Sequence, residues 1–385
     1  MQTCYLNNAA TTFPKPIEVI NAINDFLLNG GANSSRGSSS ERDLKTMNII
    51  LDCRFEIAEM FNSYENCNPL LVTFCLNITE AVNIVLRGFL KPGMKVITTS
   101  MEHNAVMRPL RALEKSGVIV KVVQANSDGE INPLDIKNEF EINNYDLMIM
   151  SHASNICGTI QPLNEIASIC KNFNVPLVLD TAQTAGVINI NVSELNLAAM
   201  CFTGHKGLMG PQGTGGIIWN PDFAAKVTPI ITGGTGSYSH LEYQPEDLPD
   251  KFESGTPNLP GIAGLNAALK WLKKTGINNI AQKENNLGEY FISELKNLPV
   301  KIAGKLNMSN RLPVFSFNLE NIDNGTLADK LSQAGFETRP GLHCAPSAHK
   351  TLKTFPQGAL RVSPGYFNTF DELDRFFRFF HALKN

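Results

Sequence analysis

The chain has 385 residues, 43% of them hydrophobic and 18% charged, long and apolar enough for two domains with substantial cores, which excludes disorder, a collagen-like chain and a small disulfide scaffold. Lys and Arg number 33 against 36 Asp and Glu, a formal net charge of −3 without a basic tract or an acidic tail, so neither nucleic acid nor an anionic membrane is an expected partner. A charged fraction below the ~25% usual in soluble domains points to surface covered by another subunit.

The opening stretch MQTCYLNNAATT has neither the basic nor the apolar part of an export signal, and no apolar run approaches the ~18 residues of a membrane helix. A cytoplasmic protein without a membrane span is expected. A first helix is expected after Pro14 and Pro16, stopping at Gly30 and Gly31. A second covers 40–61, with apolar Leu44, Met47, Leu51, Phe55, Ala58 and Phe61 on one stripe. Short apolar runs follow at 69–75 (PLLVTFC), 95–99 (KVITT), 118–123 (VIVKVV), 146–151 (DLMIMS), 176–180 (PLVLD), 199–203 (AMCFT) and 216–219 (GIIW), each a buried-strand candidate. Helical periodicity at 79–89, 104–115 and 164–173 separates several of them, which argues for a mostly parallel sheet with helices on both faces. The stretch 232–257, rich in Gly, Ser, Pro and Tyr, places a domain boundary near 250–260. Beyond it come long helices over 259–275 and 277–298, short strands near 314–317 and 360–362, and a Phe-rich final helix over 371–383.

Cys4, Cys53, Cys67, Cys75, Cys157, Cys170, Cys201 and Cys344 are scattered singly, with no CxxC pair and no Cys/His cluster at zinc spacing. They read as reduced thiols, and no metal is expected. In an open parallel sheet ligands sit beyond the carboxyl ends of the strands, so polar residues that directly follow apolar runs deserve scrutiny. Asp180 ends VPLVLD and precedes Gln183; taken alone it is equally a helix cap. His103, in SMEHN after KVITT, is by itself more often a hydrogen-bonded structural residue than a catalyst. Lys206 follows AMCF inside TGHKG, between glycines and beside His205, where its pKa can fall far enough for Schiff-base chemistry; most lysines are solvated surface charges. The segment from Asn77 to Glu80, with Thr79, is an anion cup at a helix start or an ordinary cap. Taken jointly, an anion cup, a strand-end Asp, a buried Lys and a His compose a site for pyridoxal 5'-phosphate (PLP), in which a carboxylate keeps the ring nitrogen protonated and an amine holds the aldehyde.

These residues stand in motifs that resemble the class V aminotransferases, fold-type I PLP enzymes, and within them the cysteine desulfurases and selenocysteine lyases. The resemblance runs through YLNNAATT (5–12), NITEAVN (77–83), MEHNA (101–105), SHASNICGTIQP (151–162), LVLDTAQTAG (177–186), FTGHKGLMGPQGTG (202–215), FESGTPN (252–258) and RPGLHCAP (339–346). It implies an α/β fold: a large PLP-binding domain, 16–255, on a mostly parallel seven-stranded sheet, and a smaller C-terminal α+β domain, 256–385, with 1–15 packed against the latter. It implies a homodimer. On this resemblance Lys206 is the Schiff-base lysine and shuttles the Cα proton, His103 stacks on the ring, Asp180 pairs with its nitrogen and Gln183 bonds its phenolic oxygen. Thr79, Thr203 and His205 hold the phosphate, joined by Thr256 of a second subunit. Asn155 and Arg361, in LRVSPG, hold the substrate carboxylate bidentately, with Arg339 and Arg36 at matching positions.

Cys344 sets the reaction. In cysteine desulfurases a mobile-loop cysteine attacks the sulfur of the bound substrate, leaving alanine and an enzyme persulfide, and such a thiol must be partly exposed. The segment RPGLHC resembles the group II pattern R-x-G-x-H-C; Asn7 stands where many members have Asp, Leu342 where some have a second His, and APSAHKTL after the cysteine differs from well-known members. The expected activity is conversion of L-cysteine to L-alanine with sulfur passed to Cys344 and then to a sulfur-acceptor protein. A selenocysteine lyase acting on L-selenocysteine, and another class V enzyme such as a cystine lyase or aminotransferase, stay open, and a non-catalytic persulfide carrier is argued against by Lys206, His103 and Asp180 together.

Overall fold

The computed structural model describes residues 3–30 and 40–382. The chain opens with β1 (Cys4–Tyr5), α1 (Ile17–Asp25), α2 (Glu41–Met60) and the short α3 (Tyr64–Cys67). Strand and helix then alternate through β2 (Val72–Cys75), α4 (Ile78–Phe89), β3 (Lys95–Thr99), α5 (Asn104–Glu114), β4 (Ile119–Val123), α6 (Pro133–Ile142), β5 (Leu147–Ser151), α7 (Leu163–Asn172) and β6 (Leu177–Asp180). β7 (Ala199–Thr203), β8 (Gly215–Trp219) and α8 (Pro221–Lys226) complete this part.

The seven strands form one sheet in the order β2-β8-β7-β6-β5-β3-β4, parallel except for β8, which runs antiparallel to both neighbours. β5, β6, β7 and β8 are buried at every position, because helices cover both faces, and this is why they read as unbroken apolar runs. β4, at the edge, keeps exposed positions on one face. The helices between strands start on side-chain caps: Asn77 accepts from Glu80 N at 3.1 Å for α4, and His103 Nδ1 accepts from Ala105 N at 3.0 Å for α5.

The second helix differs from expectation in its faces. Cys53, Arg54, Ile57 and Ala58 are buried, whereas Leu44, Leu51 and Phe55, assigned to the core stripe, are exposed. α2 therefore has two apolar faces, of which the described residues cover one. Across the exposed face of α1 lie Ile17 and Ile20, also uncovered.

After β8 the order is α9 (Leu259–Thr275), α10 (Ile277–Leu295), β9 (Val300–Ala303), β10 (Phe315–Leu319), α11 (Asn324–Gln333), β11 (Phe336–Glu337), β12 (Arg339–Gly341), α12 (Pro346–Thr351), β13 (Ala359–Val362) and α13 (Phe370–Ala382). An antiparallel sheet β12-β13-β10-β9 packs with α10 and α13 around Phe291, Phe315, Phe317, Phe376 and Phe380. The N-terminal residues enter this second core: β1 pairs in parallel with β11, and Cys4 and Leu6 are fully buried among the same aromatics. α9 packs instead against α1 and α2, and its Leu265, Leu269 and Leu272 join the core of the large sheet. No helix among the described residues is long and apolar enough to cross a membrane.

Candidate active site

The carboxyl ends of β3, β5, β6 and β7 point to one region, so Glu102 and His103, Ser151 to Asn155, Asp180 and the segment from Thr203 to Gly207 follow adjacent strands. Two glycines seat the Lys206 loop against the Asp180 loop: Gly186 has φ 85°, a Cβ there would strike Gly207 O, and one on Gly207 would strike Ala185 O. Asp180 is buried, and its Oδ1 accepts from Ala182 N at 2.8 Å. Burial raises its pKa, against the pull of the Ala182 amide and of Lys206. The Lys206 amine is brought down to about 8 by burial and by the Arg361 and Arg339 guanidinium groups, with Asp180 and Cys344 opposing. His103 is held to about 4 by burial, then by Lys206 and the arginines. Because His103 Nδ1 accepts from Ala105 N, the proton of the neutral ring sits on Nε2.

Arg361 is 1% exposed, yet no carboxylate pairs with it among the described residues. Its Nη1 donates to Asn155 O at 3.0 Å and its Nη2 to Asn7 Oδ1 at 2.9 Å, while Nε has no partner among the described residues. A buried, uncompensated guanidinium is costly and suits an incoming carboxylate. Asn155 donates in turn to His343 O at 2.9 Å, and Asn104 N donates to Cys344 O at 2.7 Å, which ties the cysteine loop beside His103. Cys344 is exposed, with its Sγ 4.0 Å from Arg339 Nη2. Cys4, Cys53, Cys157, Cys170 and Cys201 are buried and Cys67 and Cys75 partly so, all as free thiols.

The remaining expected positions differ in how closely they join. Gln183 Nε2 donates to Ala9 O at 3.1 Å, linking the site to the N-terminal segment. Thr203 is buried, with its hydroxyl 3.5 Å from Thr214 O. The Nδ1 of His205 is buried without a partner among the described residues. Thr79 and Thr256 stand exposed, and no hydrogen bond of either side chain to this group occurs among the described residues. Arg36 lies outside the described residues.

A lysine of lowered basicity beside a buried carboxylate, and an unsatisfied imidazole nitrogen one residue away, fit an aldehyde-bearing, anionic heteroaromatic cofactor. No group of His, Cys, Asp or Glu that could hold a metal ion occurs among the described residues.

Four residues near this group were not singled out as parts of it. Glu102 is fully buried, accepting from Thr99 Oγ1 at 2.6 Å and from Ser151 N and Oγ at 2.9 and 2.7 Å; burial raises its pKa to about 7. Its signal is a carboxylate between a buried strand and a histidine. Asn7, noticed only as a departure from a motif, is the partner of Arg361. Lys15 donates to Thr12 Oγ1 at 2.6 Å and to His205 O at 2.7 Å, a cation on the loop that carries Lys206. His349 lies under the cysteine loop.

The chain belongs to the aminotransferase class-V family, whose pattern it matches over residues 4–376. Within that family it is 30% identical over 383 residues to a protein of Pyrococcus abyssi named probable cysteine desulfurase, covering 97% of this chain and 92% of that one. It is 31% identical over 375 residues to another so named from Methanothermobacter thermautotrophicus, covering 96% and 92%. The apo structure of a cysteine desulfurase from Thermococcus onnurineus superposes with a TM-score of 0.92 at 27% identity, covering 99% of this chain and 94% of that one.

Proposed function

We propose that the protein is a PLP-dependent cysteine desulfurase that converts L-cysteine to L-alanine and takes the sulfur onto Cys344. The observation that carries the reading is the convergence of Lys206, Asp180, His103 and the carboxylate-free Arg361 with an exposed cysteine held in the same electrostatic field. The full-length likeness to proteins named cysteine desulfurase supports it.

Bound PLP supplies an electron sink that loosens the Cα proton and the Cβ–S bond of an amino acid. Lys206, its amine brought down to about 8, would hold the cofactor aldehyde and would then move the Cα proton. Asp180 would pair with the ring nitrogen of bound PLP and Gln183 with its phenolic oxygen. His103, its Nδ1 engaged by Ala105 N, would offer Nε2–H for acid/base steps beside the bound cofactor. The Nδ1 of His205, without a partner among the described residues, would take the phosphate, with Thr203 and Thr79 and with Thr256 of a second subunit. Arg361 grips the substrate carboxylate with Asn155, and Arg339 and Arg36 add positive charge to that pocket. The Cys344 thiolate attacks the substrate sulfur: an S–S bond forms, the Cβ–S bond breaks, and its electron pair stays with the carbon skeleton, which leaves as alanine after protonation. Arg339 Nη2 lies 4.0 Å from Sγ. The persulfide then passes its outer sulfur to an acceptor protein.

A homodimer is part of this reading. The uncovered apolar face of α1 and α2 and the exposed position of Thr256 both support it. So is the division into a large unit, 16–255, and a smaller one, 256–385, with 1–15 on the latter; the burial of Cys4 and Leu6 in the second core supports the placement of 1–15, while α9 crosses the boundary and packs in the core of the large sheet. The reading places the enzyme in the cytoplasm.

Alanine formation by purified holoenzyme and by Cys344→Ala, from L-cysteine and L-selenocysteine in parallel, tests it. The variant should keep the cofactor absorbance and lose about 100-fold or more of its activity on L-cysteine, since a covalent nucleophile acts on the transition state and not on cofactor binding. Full activity of the variant on L-cysteine would reject the persulfide route. Turnover of L-selenocysteine alone would identify a selenocysteine lyase.

A further inference from the structure

Cys344 sits in a backbone turn that few residues adopt: His343 and Cys344 have φ of 48° and 58°, directly after Gly341 at 106° and Leu342. Such a turn persists only where its surroundings hold it. Beneath it lie two imidazoles, His343 and His349, 4% and 0% exposed, with ring centres 5.6 Å apart.

Their hydrogen bonds fix a direction. His343 Nε2 is 2.9 Å from the carbonyl oxygen of Arg339, which can only accept, so Nε2 carries the proton. Burial and the Arg361 charge disfavour a second proton on either ring, leaving both neutral. His343 Nδ1 is therefore an acceptor, and the group facing it at 3.4 Å, His349 Nε2, must donate. That leaves His349 Nδ1 to accept from Thr354 Oγ1 at 2.6 Å. Three bonds thus run one way, from Thr354 through both rings to the carbonyl at the start of β12. The chain ends on a carbonyl and conducts no proton to the thiol. What it fixes is position: Arg339 O at one end of the turn, with Asn155 holding His343 O and Asn104 holding Cys344 O at the other.

We propose that His349, backed by Thr354, is a positioning residue for Cys344: it sets the tautomer of His343, and His343 then clamps the turn that presents the thiol. This rests on reading Cys344 as the nucleophile. A loosened nucleophile loses turnover while cofactor and substrate carboxylate sites stay intact, so the effect falls on kcat and not on KM.

The test compares His349→Leu, which fills the space without a donor, with His349→Gln, whose amide nitrogen can still donate to His343 Nδ1. For holoenzyme carrying His349→Leu, backbone hydrogen exchange in the segment 339–345 should quicken by about tenfold as local opening becomes easier. Its kcat for alanine formation from L-cysteine should fall about 10- to 100-fold, the scale of a nucleophile misplaced by about an ångström, with KM and cofactor absorbance unchanged. His349→Gln should restore most of both. Equal impairment by Leu and Gln would reduce His349 to a packing residue and overturn the proposal, as would a Leu variant with wild-type exchange and kcat. Should His349→Leu fail to fold, Thr354→Val, which removes the outermost donor, takes its place, and unchanged exchange and kcat there overturn the proposal equally. If the wild-type enzyme forms no alanine from L-cysteine, the desulfurase reading fails, while the exchange measurements still decide whether the clamp exists.

Discussion

At the scale of single residues, the strand-end rule singled out Asp180, His103 and Lys206, because ligands of a parallel sheet sit beyond the carboxyl ends of its buried strands, and the structure brings the three to one region. It was not enough for Glu102. Besides Thr99, that carboxylate is held by Ser151, 49 residues away on β5, and no local pattern announces a partner across strands. Asn7 and Arg361 escape pairing by inspection for the same reason, lying at opposite ends of the chain. Lys206 supports a prediction of its own. Only the neutral amine attacks an aldehyde, and burial has brought this amine to about 8 from an ordinary 10.5. Covalent capture of added PLP by the apo protein, followed by absorbance, should therefore rise about tenfold per pH unit below 8 and level off above it. Capture that keeps rising through pH 10 would show an unperturbed lysine.

At the scale of elements, the strands of the large sheet were legible because burial on both faces writes them as continuous apolar runs. β1, β9, β11 and β12 were not: two to four residues long, they carry too few alternations to read. α2 was legible as a helix but not in its faces, since an apolar stripe looks the same whether this chain or another surface covers it. Its inner face holds an ion pair of consequence. Arg54 is 5% exposed, 2.5 Å from Glu253 through Nη2, bonded to Val72 O through Nη1 and stacked over Phe74. Glu253 also accepts from Phe74 N, so the pair joins α2, β2 and the segment leading to Thr256. Removing one partner strands the other charge, and Arg54→Met should cost about 3 kcal/mol in urea unfolding. Arg54→Met combined with Glu253→Gln should cost clearly less than the two single changes summed, because the residues act as one unit. Strict additivity would show that the pair is not coupled.

At the scale of the whole molecule, the site gathers neutral histidines in a way that composition alone does not reveal. Five of the seven histidines, His103, His152, His205, His343 and His349, have pKa values pushed well below 6.5, with burial the first cause in each. The unfolded chain binds a proton at each of them as pH falls below 6.5, whereas the folded chain resists until about 4 or lower. Stability from these groups is complete above 6.5 and is lost progressively on acidification. Glu102 and Glu284 act in the opposite sense: burial raises both to about 7, so their contribution is complete below 4.5 and is lost as pH rises through 7. Asp180, also raised, sides with them. Five imidazoles therefore oppose the two glutamates across the same window, and the histidines prevail. The melting temperature of the apo protein should be lower at pH 5 than at pH 7 in scanning calorimetry. Replacing His152, whose ring bonds Thr184, by Gln should shrink that difference, because one of the five imidazoles that take up a proton on unfolding is then gone. A melting temperature that is equal or higher at pH 5 would mean that the carboxylates, and not the buried imidazoles, govern how this fold responds to acid.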